Sequence, residues 1–296
     1  MTAHVIIGDA RAGIRSLATA PDATFGCAIT SPPYWGLRSY TGDRREHGVG
    51  SLDAWAADVG GTLNDLAPLL THGTLWVVLG ETKIGSGGAG GDYNAGGARN
   101  GRARYRQGDA GGRPNRSSAG APFVLEQTMM AHGWVLRSRI VWVKTTTTGR
   151  PEYRREDLKH VKRPKMQHEY VQMWTAPGVE HFTHNVDAYD HDVFGFNDER
   201  EAGDVWHGPS ARTPRDATYK AKAPYPEWLV ERCLRLSRPA MPTGVRPWVI
   251  DPYAGSCTTL AVAERLAWDA VGIDLDPETR KAAMARLNDS MITVLA

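Results

Sequence analysis

Both ends of this 296-residue chain alternate short apolar segments with segments whose apolar residues recur at helical spacing. Short apolar runs bounded by turn residues are typical of buried strands, and the helical spacing predicts the helices that cover them. Strands separated by helices need crossover connections, which favour a parallel or mixed sheet covered on both faces. The predicted fold class is therefore α/β.

The pattern can be divided into elements, with two interruptions. Gly85–Gly120 contains 12 glycines in 36 residues, and we expect a mobile loop there because it buries too little apolar surface to offset its ordering entropy. Thr175–Ala223 has no long period and is predicted to be irregular. The predicted strands are His4–Ile7, Gly26–Thr30, Thr74–Gly80, Trp134–Lys144, His168–Thr175, Trp248–Asp251 and Ala270–Leu275. The predicted helices are Arg11–Ala18, Ser51–Leu70, Pro122–Ala131, Pro226–Leu236, Thr258–Ala267 and Pro277–Asn288.

Positive charge is concentrated in the middle of the chain. Ala95–Lys165 carries 16 Lys and Arg residues against 5 Asp and Glu, a net charge of +11, whereas the whole chain carries +2. A basic segment beside a neutral-to-acidic body is the expected footprint of a polyanionic partner such as nucleic acid. On charge alone, a solvated basic loop without a partner is an equal alternative.

Composition excludes several classes of protein. The chain has no apolar run of membrane-spanning length, and its start lacks the pattern of a signal peptide. Its three cysteines form no CxxC pair, which favours a reducing compartment. The histidines His181, His184 and His191 match no zinc-binding spacing. We therefore expect a cytoplasmic protein with no metal and no membrane partner.

The sharpest chemical signal is Ser31-Pro32-Pro33-Tyr34, which directly follows a predicted strand. Consecutive prolines fix both φ angles, so the Pro32 carbonyl can be aimed rigidly outward beside the Ser31 hydroxyl. These two acceptors can grip both hydrogens of an exocyclic amine in its transition-state geometry. Tyr34 and Trp35 offer aromatic faces for a planar base, although a Pro-Pro turn beside core aromatics is the alternative interpretation.

A second signal lies near the C-terminus, where Asp251–Thr259 forms a strand, a small-residue turn and the start of a helix. Such turns present backbone N–H groups to an anionic ligand. Asp274 ends the next predicted strand and can accept hydrogen bonds from ribose hydroxyls. The predicted cofactor-binding residues are Asp9, Asp251, Tyr253, Gly255, Ser256, Thr258, Thr259 and Asp274.

In this order, the Ser-Pro-Pro-Tyr and Asp-Pro-Tyr-Ala-Gly-Ser-x-Thr-Thr motifs resemble the β-class amino-group DNA methyltransferases. Further likenesses are Ile6–Asp9, whose Asp would approach the cofactor adenine, Leu79–Thr82, Gly133–Lys144, His168–Tyr170, Val205-Trp206 and Ala223–Pro226. Glu81 stands where the family usually has Asp. Cys257 stands where it usually has Gly, which puts cofactor affinity in question.

The resemblance implies a circularly permuted, Rossmann-like methyltransferase sheet whose chain ends meet near the cofactor crevice. Residues 1–174 and 223–296 would form the methyltransferase domain, 175–222 a small target-recognition region and 85–120 the mobile loop. The implied cofactor is S-adenosyl-L-methionine, and the implied partner is double-stranded DNA with a flipped target base, in restriction–modification. The catalytic residues would be Ser31, Pro32, Pro33 and Tyr34. The DNA-binding residues would be Trp35, Arg102, Arg104, Arg106, Arg154, Arg155, Lys162 and Arg163.

Alternatives remain open at this point. Ser31 resembles the cytosine-N4 enzymes, whereas adenine-N6 enzymes mostly have Asp or Asn there, so cytosine N4 is favoured over adenine N6. C5-cytosine methylation needs a nucleophilic cysteine, usually after a proline, and the chain has no Pro-Cys pair. A non-catalytic DNA-binding protein on the same fold is the alternative from another class. The sequence leaves the oligomeric state open, with a homodimer as one candidate.

Overall fold

The computed structural model describes residues 2–17, 25–35, 50–84, 112–114, 117–150, 166–179, 203–211, 217–219, 224–237, 246–288 and 290–295. These residues form one nine-stranded sheet with helices on both faces. The strands are β1 Ala3–Ile7, β2 Phe25–Thr30, β3 Thr74–Leu79, β4 Val135–Thr145, β5 His168–Thr175, β6 Val205–Pro209, β7 Trp248–Asp251, β8 Asp269–Asp274 and β9 Ser290–Val294. The helices are α1 Ala10–Leu17, α2 Leu52–Asn64, α3 Ala121–Ala131, α4 Glu227–Leu236, α5 Thr258–Arg265 and α6 Thr279–Arg286.

The strand order is β6-β4-β5-β3-β2-β7-β8-β1-β9, and eight of these nine strands run in the same direction. Only β5 is reversed, pairing antiparallel with β3 on one side and β4 on the other. The edge of the sheet where the eight strands end is called the carboxyl edge below. Because β5 is reversed, its first residues also lie at this edge.

Two apolar layers hold the helices to the sheet. The layer on one face joins α4, α5 and α6, and the layer on the other joins α1, α2 and α3. Strand β3 shows how one sequence serves both, since Trp76 and Val78 pack into the first layer and Leu75, Val77 and Leu79 into the second. Successive side chains of a strand point to opposite faces of the sheet, and both faces are covered by helices. The central strands are therefore apolar throughout.

The predicted α/β class is confirmed, but one predicted helix is too long and two strands lie where none is predicted. The helix predicted over Ser51–Leu70 ends at Asn64, and a 3-10 turn follows at Ala67–Leu69; Pro68 has no N–H with which to continue the helix. The stretch predicted to be irregular contains β6, which pairs parallel with β4 at the edge of the sheet. Strand β9 was not predicted, because its alternating exposed residues lack an apolar run.

The two ends of the chain are neighbours in the sheet but do not meet at one point. β1 and β9 are parallel partners, with Ala3 opposite Ser290 and Ile7 opposite Val294. Strand β1 therefore starts at the edge of the sheet opposite the carboxyl edge, whereas Leu295 lies at the carboxyl edge. There, the Leu295 N–H donates to the Ile7 carbonyl oxygen at 2.8 Å. The expectation that both ends meet near the cofactor crevice is wrong. Among the described residues, no helix is long and apolar enough to cross a membrane.

Candidate active site

The carboxyl edge brings together turns that are far apart in sequence. In parallel sheets, ligands bind at this edge, outside the ends of the strands. Both predicted motifs lie here, because Ser31–Tyr34 follows β2 and the second motif begins at Asp251, the last residue of the neighbouring strand β7. Asp9 follows β1 and Asp274 ends β8 at the same edge. The topology therefore places the two predicted parts of the site side by side.

The Pro-Pro turn is fastened at several points by its neighbours. The Pro33 carbonyl oxygen accepts a hydrogen bond from Trp55 Nε1 at 2.8 Å. The Trp35 carbonyl oxygen accepts one from Thr82 Oγ1 at 3.1 Å. No hydrogen bond to Ser31 Oγ or to the Pro32 carbonyl oxygen is found within the described parts of the chain. The turn is thus rigid, while the two predicted acceptors for an amine retain their capacity.

Trp35 does not lie where its predicted role requires. Its side chain is fully buried in the apolar layer between the sheet and helices α1, α2 and α3. Its Nε1 donates to the Gly50 carbonyl oxygen at 3.1 Å. A ring enclosed on all sides offers no face to a base. The predicted DNA contact of Trp35 is therefore corrected to a structural role, in which it anchors the turn from below.

Tyr34 is held from two sides. Its hydroxyl donates to Glu169 Oε2 at 2.9 Å, and Lys144 Nζ donates to the other carboxylate oxygen at 2.6 Å. A Cβ atom at Gly80 would lie 2.8 Å from Tyr34 Cε2 and 3.1 Å from Glu169 Cγ. The ring thus rests against backbone that carries no side chain. We call Tyr34, Glu169, Lys144 and Gly80 the tyrosine clamp.

Asp251 is the centre of a buried hydrogen-bond cluster. Its Oδ1 accepts from Thr30 Oγ1 at 2.8 Å and from the Tyr253 backbone N–H at 3.1 Å. Its Oδ2 accepts from the Tyr225 hydroxyl at 2.6 Å and from Thr259 Oγ1 at 2.7 Å, and these two hydroxyls also contact each other. Four donors fill the acceptor sites of a carboxylate. We call this group the Asp251 cluster.

The saturation of Asp251 changes its predicted role. The residue is fully buried, as is Thr259. Burial raises the pKa of Asp251, and the hydrogen bonds from Tyr225, Thr259 and Thr30 counteract that shift. With every lone pair occupied, the Asp251 and Thr259 side chains face the fold and cannot face a cofactor. These side chains therefore have a structural role, and a contact of Asp251 or Thr259 with a cofactor would have to come from the backbone. Because Thr30 directly precedes Ser31, the cluster joins the Pro-Pro turn to the turn after β7.

The turn after β7 forms an open cradle. Gly255 has φ +49° and is exposed, and its N–H donates to Asp274 Oδ2 at 2.7 Å. Asp274 Oδ1 accepts from the Asp276 N–H at 2.8 Å. Each carboxylate oxygen therefore retains a lone pair for a further donor. Burial raises the pKa of Asp274 to about 6, although its two backbone hydrogen bonds act in the opposite direction.

Cys257 occupies a backbone conformation that favours glycine. Its φ is 56° and its ψ is 32°, at the residue before α5. The side chain is fully buried and packs with the core beneath α6, where Sγ lies 3.9 Å from the Thr279 carbonyl oxygen. Burial also raises the pKa of the thiol to about 12. The thiol therefore points away from the cradle, and the departure from glycine affects the backbone rather than the space for a ligand.

Arg286, which has no local sequence signal for a role in the site, supports the cradle. Its guanidinium donates to the Ser256 carbonyl oxygen at 2.9 Å and to Thr258 Oγ1 at 3.0 Å. It also pairs with Glu227 of α4 at 2.5 Å. Thr258 and Ser256 are both buried. The side chain of Thr258 is thus engaged within the protein, which leaves the backbone of this turn as the surface offered to a ligand.

Two acidic residues beside the site hold backbone segments. Asp9 Oδ1 accepts from the Ala12 N–H at 2.9 Å and caps the start of α1. Glu81, which replaces the Asp usual in the similar family, accepts from the Gly120 N–H at 3.0 and 3.1 Å. The longer glutamate side chain thus reaches the residue before α3. Asp9 remains a candidate for the cofactor, since it lies two residues after the end of β1 at the carboxyl edge.

The predicted phosphate-binding residues lie outside the described residues, namely Arg102, Arg104, Arg106, Arg154, Arg155, Lys162 and Arg163. Some described basic residues from the same stretch are engaged within the protein. Arg139 forms a two-point ion pair with Glu126, Arg137 donates to the Val179 carbonyl oxygen, and Lys144 pairs with Glu169. His181, His184 and His191 also lie outside; within the described parts of the chain, no group of three potential ligands could hold a metal ion.

Several residues of the site carried only a weak sequence signal. Glu169 lies within His168–Tyr170 and Tyr225 within Ala223–Pro226, which both resemble motifs of the family, but neither had an assigned role. Thr30 has no signal beyond its place in a predicted strand. Lys144 is one lysine of a basic stretch and has no further signal. Their functions depend on pairs such as Thr30 with Asp251, 221 positions apart. A local pattern cannot indicate such a pairing.

Known proteins are similar to this chain over most of its length. The DNA methylase family of N6 and N4 methyltransferases matches residues 25–285. The type II methyltransferase M.Cfr9I of Citrobacter freundii is 31% identical over 97% of this chain and 88% of its own. M.SmaI of Serratia marcescens is 28% identical over 96% and 90%.

Solved structures share the fold. The cytosine-N4-specific PvuII DNA methyltransferase is similar with a TM-score of 0.61 and 19% identity, over 98% of this chain and 87% of its own. A Thermus thermophilus protein described as a DNA modification methylase, solved with S-adenosyl-L-methionine, has a TM-score of 0.58 and 21% identity over 100% of both chains.

Proposed function

Because the chain belongs to the DNA methylase family of N6 and N4 methyltransferases, we propose that it methylates the exocyclic N4 of cytosine in double-stranded DNA. The methyl donor is S-adenosyl-L-methionine, and the role is modification in a restriction–modification pair. Residues 1–174 and 223–296 form the catalytic domain, and 175–222 selects the target sequence. In this arrangement β6 belongs to the central sheet although its sequence lies within the recognition segment.

The observation that carries the proposal is the Pro-Pro turn at the carboxyl edge. Its backbone is fastened through Pro33 and Trp35, while Ser31 Oγ and the Pro32 carbonyl oxygen keep their acceptor capacity among the described residues. An amine whose lone pair is delocalised into a base is a poor nucleophile. Two preorganised acceptors favour the pyramidal amine of the transition state over the planar ground state.

The cradle fits the proposed donor. Gly255 exposes backbone where a bulky ligand must approach, and Asp274 has lone pairs left for two ribose hydroxyls. Asp9 lies one strand beyond Asp274, where it can accept from the adenine. S-adenosyl-L-methionine supplies an electrophilic methyl group on a sulfonium. The residues of this chain orient the amine beside it, and Tyr34 provides a face on which the flipped base stacks.

Ser31 supports cytosine over adenine. The similar adenine-N6 enzymes mostly have Asp or Asn at this position, whereas the similar cytosine-N4 enzymes have Ser. Adenine-N6 methylation remains the second candidate, since an exocyclic amine of adenine presents the same two hydrogens. A non-catalytic DNA-binding protein is disfavoured, because both the Pro-Pro turn and the Asp274 cradle are intact.

Mass spectrometry of product nucleosides tests the function. Genomic DNA amplified in vitro, and thus free of methylation, is incubated with the protein and S-adenosyl-L-methionine and digested to nucleosides. We expect N4-methylcytosine, and Ser31→Ala should lower its yield about 100-fold, the usual cost of one preorganised transition-state contact. If the product were N6-methyladenine, adenine would replace cytosine as the proposed target base. If neither methylated nucleoside were formed, the catalytic assignment would be wrong.

A further inference from the structure

The tyrosine clamp has a polar part that the stacking role of Tyr34 does not require. Stacking on a base uses the face of a ring, and a phenylalanine would provide it equally well. Yet the Tyr34 hydroxyl donates to Glu169 Oε2 at 2.9 Å. The hydroxyl must therefore serve something other than the contact with the base.

Glu169 is itself held in place. Lys144 Nζ lies 2.6 Å from Glu169 Oε1, with side-chain exposures of 22% for the lysine and 17% for the glutamate. Exposed ion pairs contribute little because water screens them, whereas a partly shielded pair with direct hydrogen-bond geometry is stronger. Lys144 also lies 5.1 Å from the ring centroid of Trp142, which further restricts its ammonium group.

The strand order makes this arrangement possible. Lys144 comes from the end of β4, and Glu169 from the start of the reversed strand β5. Tyr34 comes from the turn after β2, two strands away across β3. Gly80 directly follows β3, the strand between β2 and β5. Because it has no side chain, the Tyr34 ring has room to cross β3 and reach Glu169. The tyrosine clamp thus joins four separate elements, with Glu169 and Gly80 in contact with Tyr34 and Lys144 in contact with Glu169.

We propose that Glu169 is a positioning residue for methyl transfer, fixing the Tyr34 ring through its hydroxyl, and that Lys144 in turn fixes Glu169. The proposal rests on the proposed function only in that Tyr34 contacts the target base. A ring locked in one orientation presents a preformed face, so less ordering is needed when the base enters. The effect falls on the transfer step and not on the binding of S-adenosyl-L-methionine at the cradle.

Conservative variants separate this role from simple packing. Tyr34→Phe removes only the hydroxyl, and Glu169→Leu removes the acceptor. Each should lower kcat about tenfold, with KM for S-adenosyl-L-methionine within twofold of the wild type. Glu169→Gln retains an acceptor oxygen and should stay within about threefold. Tyr170→Phe removes a hydroxyl from the neighbouring residue and serves as the matched control, with unchanged kcat.

The double variant gives the decisive readout. If Tyr34 and Glu169 form one link, removing the second partner after the first costs nothing more, so Tyr34→Phe/Glu169→Leu should be as active as either single variant. Should the leucine variant not fold, Glu169→Gln in the Tyr34→Phe background answers the same question. Losses that multiply, a Gln variant as impaired as the Leu variant, or a wild-type kcat for Tyr34→Phe would each overturn the proposal.

Transfer of tritiated methyl groups to amplified genomic DNA is the measurement, at saturating DNA for kcat. The ratios between variants do not depend on which base receives the methyl group. N6-methyladenine as the wild-type product would thus refute the proposed specificity while leaving the clamp intact. Conversely, multiplicative losses would refute the clamp while N4-methylcytosine remained the product.

Discussion

Asp274 lies where the chemistry of the cradle depends on one proton. Only the ionised carboxylate can accept from two ribose hydroxyls while it also accepts the N–H groups of Gly255 and Asp276. Burial raises the pKa of this group from 3.8 to about 6. A substantial fraction of the protein without cofactor is therefore protonated at Asp274 near pH 6.

We expect affinity for S-adenosyl-L-methionine to fall as the pH falls below about 6, by up to tenfold per pH unit, because binding must then release the proton. Calorimetry between pH 5 and pH 8 measures the slope. Asp274→Asn cannot titrate and should give weaker but pH-independent binding. An unchanged slope in that variant would place the titrating group elsewhere.

The same shift acts on stability in the opposite direction. The folded chain holds the Asp274 proton more tightly than the unfolded chain, because the folded pKa is about 6 against an ordinary value of 3.8. The contribution of Asp274 to the free energy of unfolding is therefore largest at low pH. It is lost as the pH rises through this window. Cofactor binding and folding thus place contrary demands on one carboxyl group.

Cys257 allows backbone strain to be separated from side-chain packing. Left-handed backbone costs a non-glycine residue about 1–2 kcal/mol, and Cys257 has φ 56°. Cys257→Ala keeps that cost and loses the buried sulfur, whereas Cys257→Gly loses the sulfur and relieves the strain. We expect the glycine variant to be about 1 kcal/mol more stable than the alanine variant in denaturant unfolding.

Cofactor affinity supplies the companion measurement for Cys257. Since the thiol packs against the core near Thr279, both variants should bind S-adenosyl-L-methionine within about twofold of the wild type. A gain of tenfold or more in Cys257→Gly alone would show that the cysteine restricts the cradle after all.

At the scale of elements, the Asp251 cluster connects the end of β2 to the end of β7, where both strands leave the sheet. Thr30→Val preserves the shape of a fully buried side chain and removes one of the four donors to Asp251. We expect a loss of about 1–3 kcal/mol in the free energy of unfolding, because a buried carboxylate then lacks a partner. A lower rate of methyl transfer should accompany it, since Ser31 follows directly.

Thr128→Val is the matched control for this change. Among the described residues, the Thr128 hydroxyl donates to one acceptor, the Val124 carbonyl oxygen within α3, so its removal should be nearly neutral for both stability and activity. Equal destabilisation in the two variants would mean that the hydroxyl of Thr30 has no special part in the cluster.

The elements also show what local patterns can and cannot predict. The apolar runs of β2 and β3 identified strands buried on both faces, and Thr258 marked the start of a helix, because these features depend on neighbours in sequence. β9 cannot be predicted from its own sequence, because its hydrogen-bonded pairing with β1 depends on residues at the other end of the chain. Trp35 was misplaced for a related reason, since an aromatic residue gives the same local pattern whether it faces a base or a core.

At the scale of the whole molecule, positive charge is concentrated in one stretch of the chain. The basic stretch Ala95–Lys165 carries a net charge of +11, while the described Arg137, Arg139 and Lys144 within it are engaged by the protein itself. Attraction for DNA phosphates should therefore come from the remaining basic residues, which include Arg102, Arg104 and Arg106. Phosphate contacts carry no sequence information.

Replacing Arg102, Arg104 and Arg106 by alanine should weaken binding to all DNA sequences alike. Each lost phosphate contact lowers the slope of log affinity against log salt by about 0.9. Fluorescence anisotropy over a salt series measures the slope, and sequencing of methylated DNA checks that target choice survives. A triple variant that binds random DNA normally but methylates new sites would assign base reading to this segment instead of 175–222.

The reversed strand has a consequence for engineering the enzyme. β4 leaves the sheet at the carboxyl edge and β5 re-enters beside it, so the connection between them starts and finishes at nearly the same place. The ion pair between Lys144 and Glu169 closes the base of that connection. We therefore expect that the residues between these two ends can be exchanged for those of a relative without changing the register of β4 and β5. Grafts that retain both charged residues should keep the transferase active, which makes residues 146–167 a natural insertion point for new DNA-binding properties.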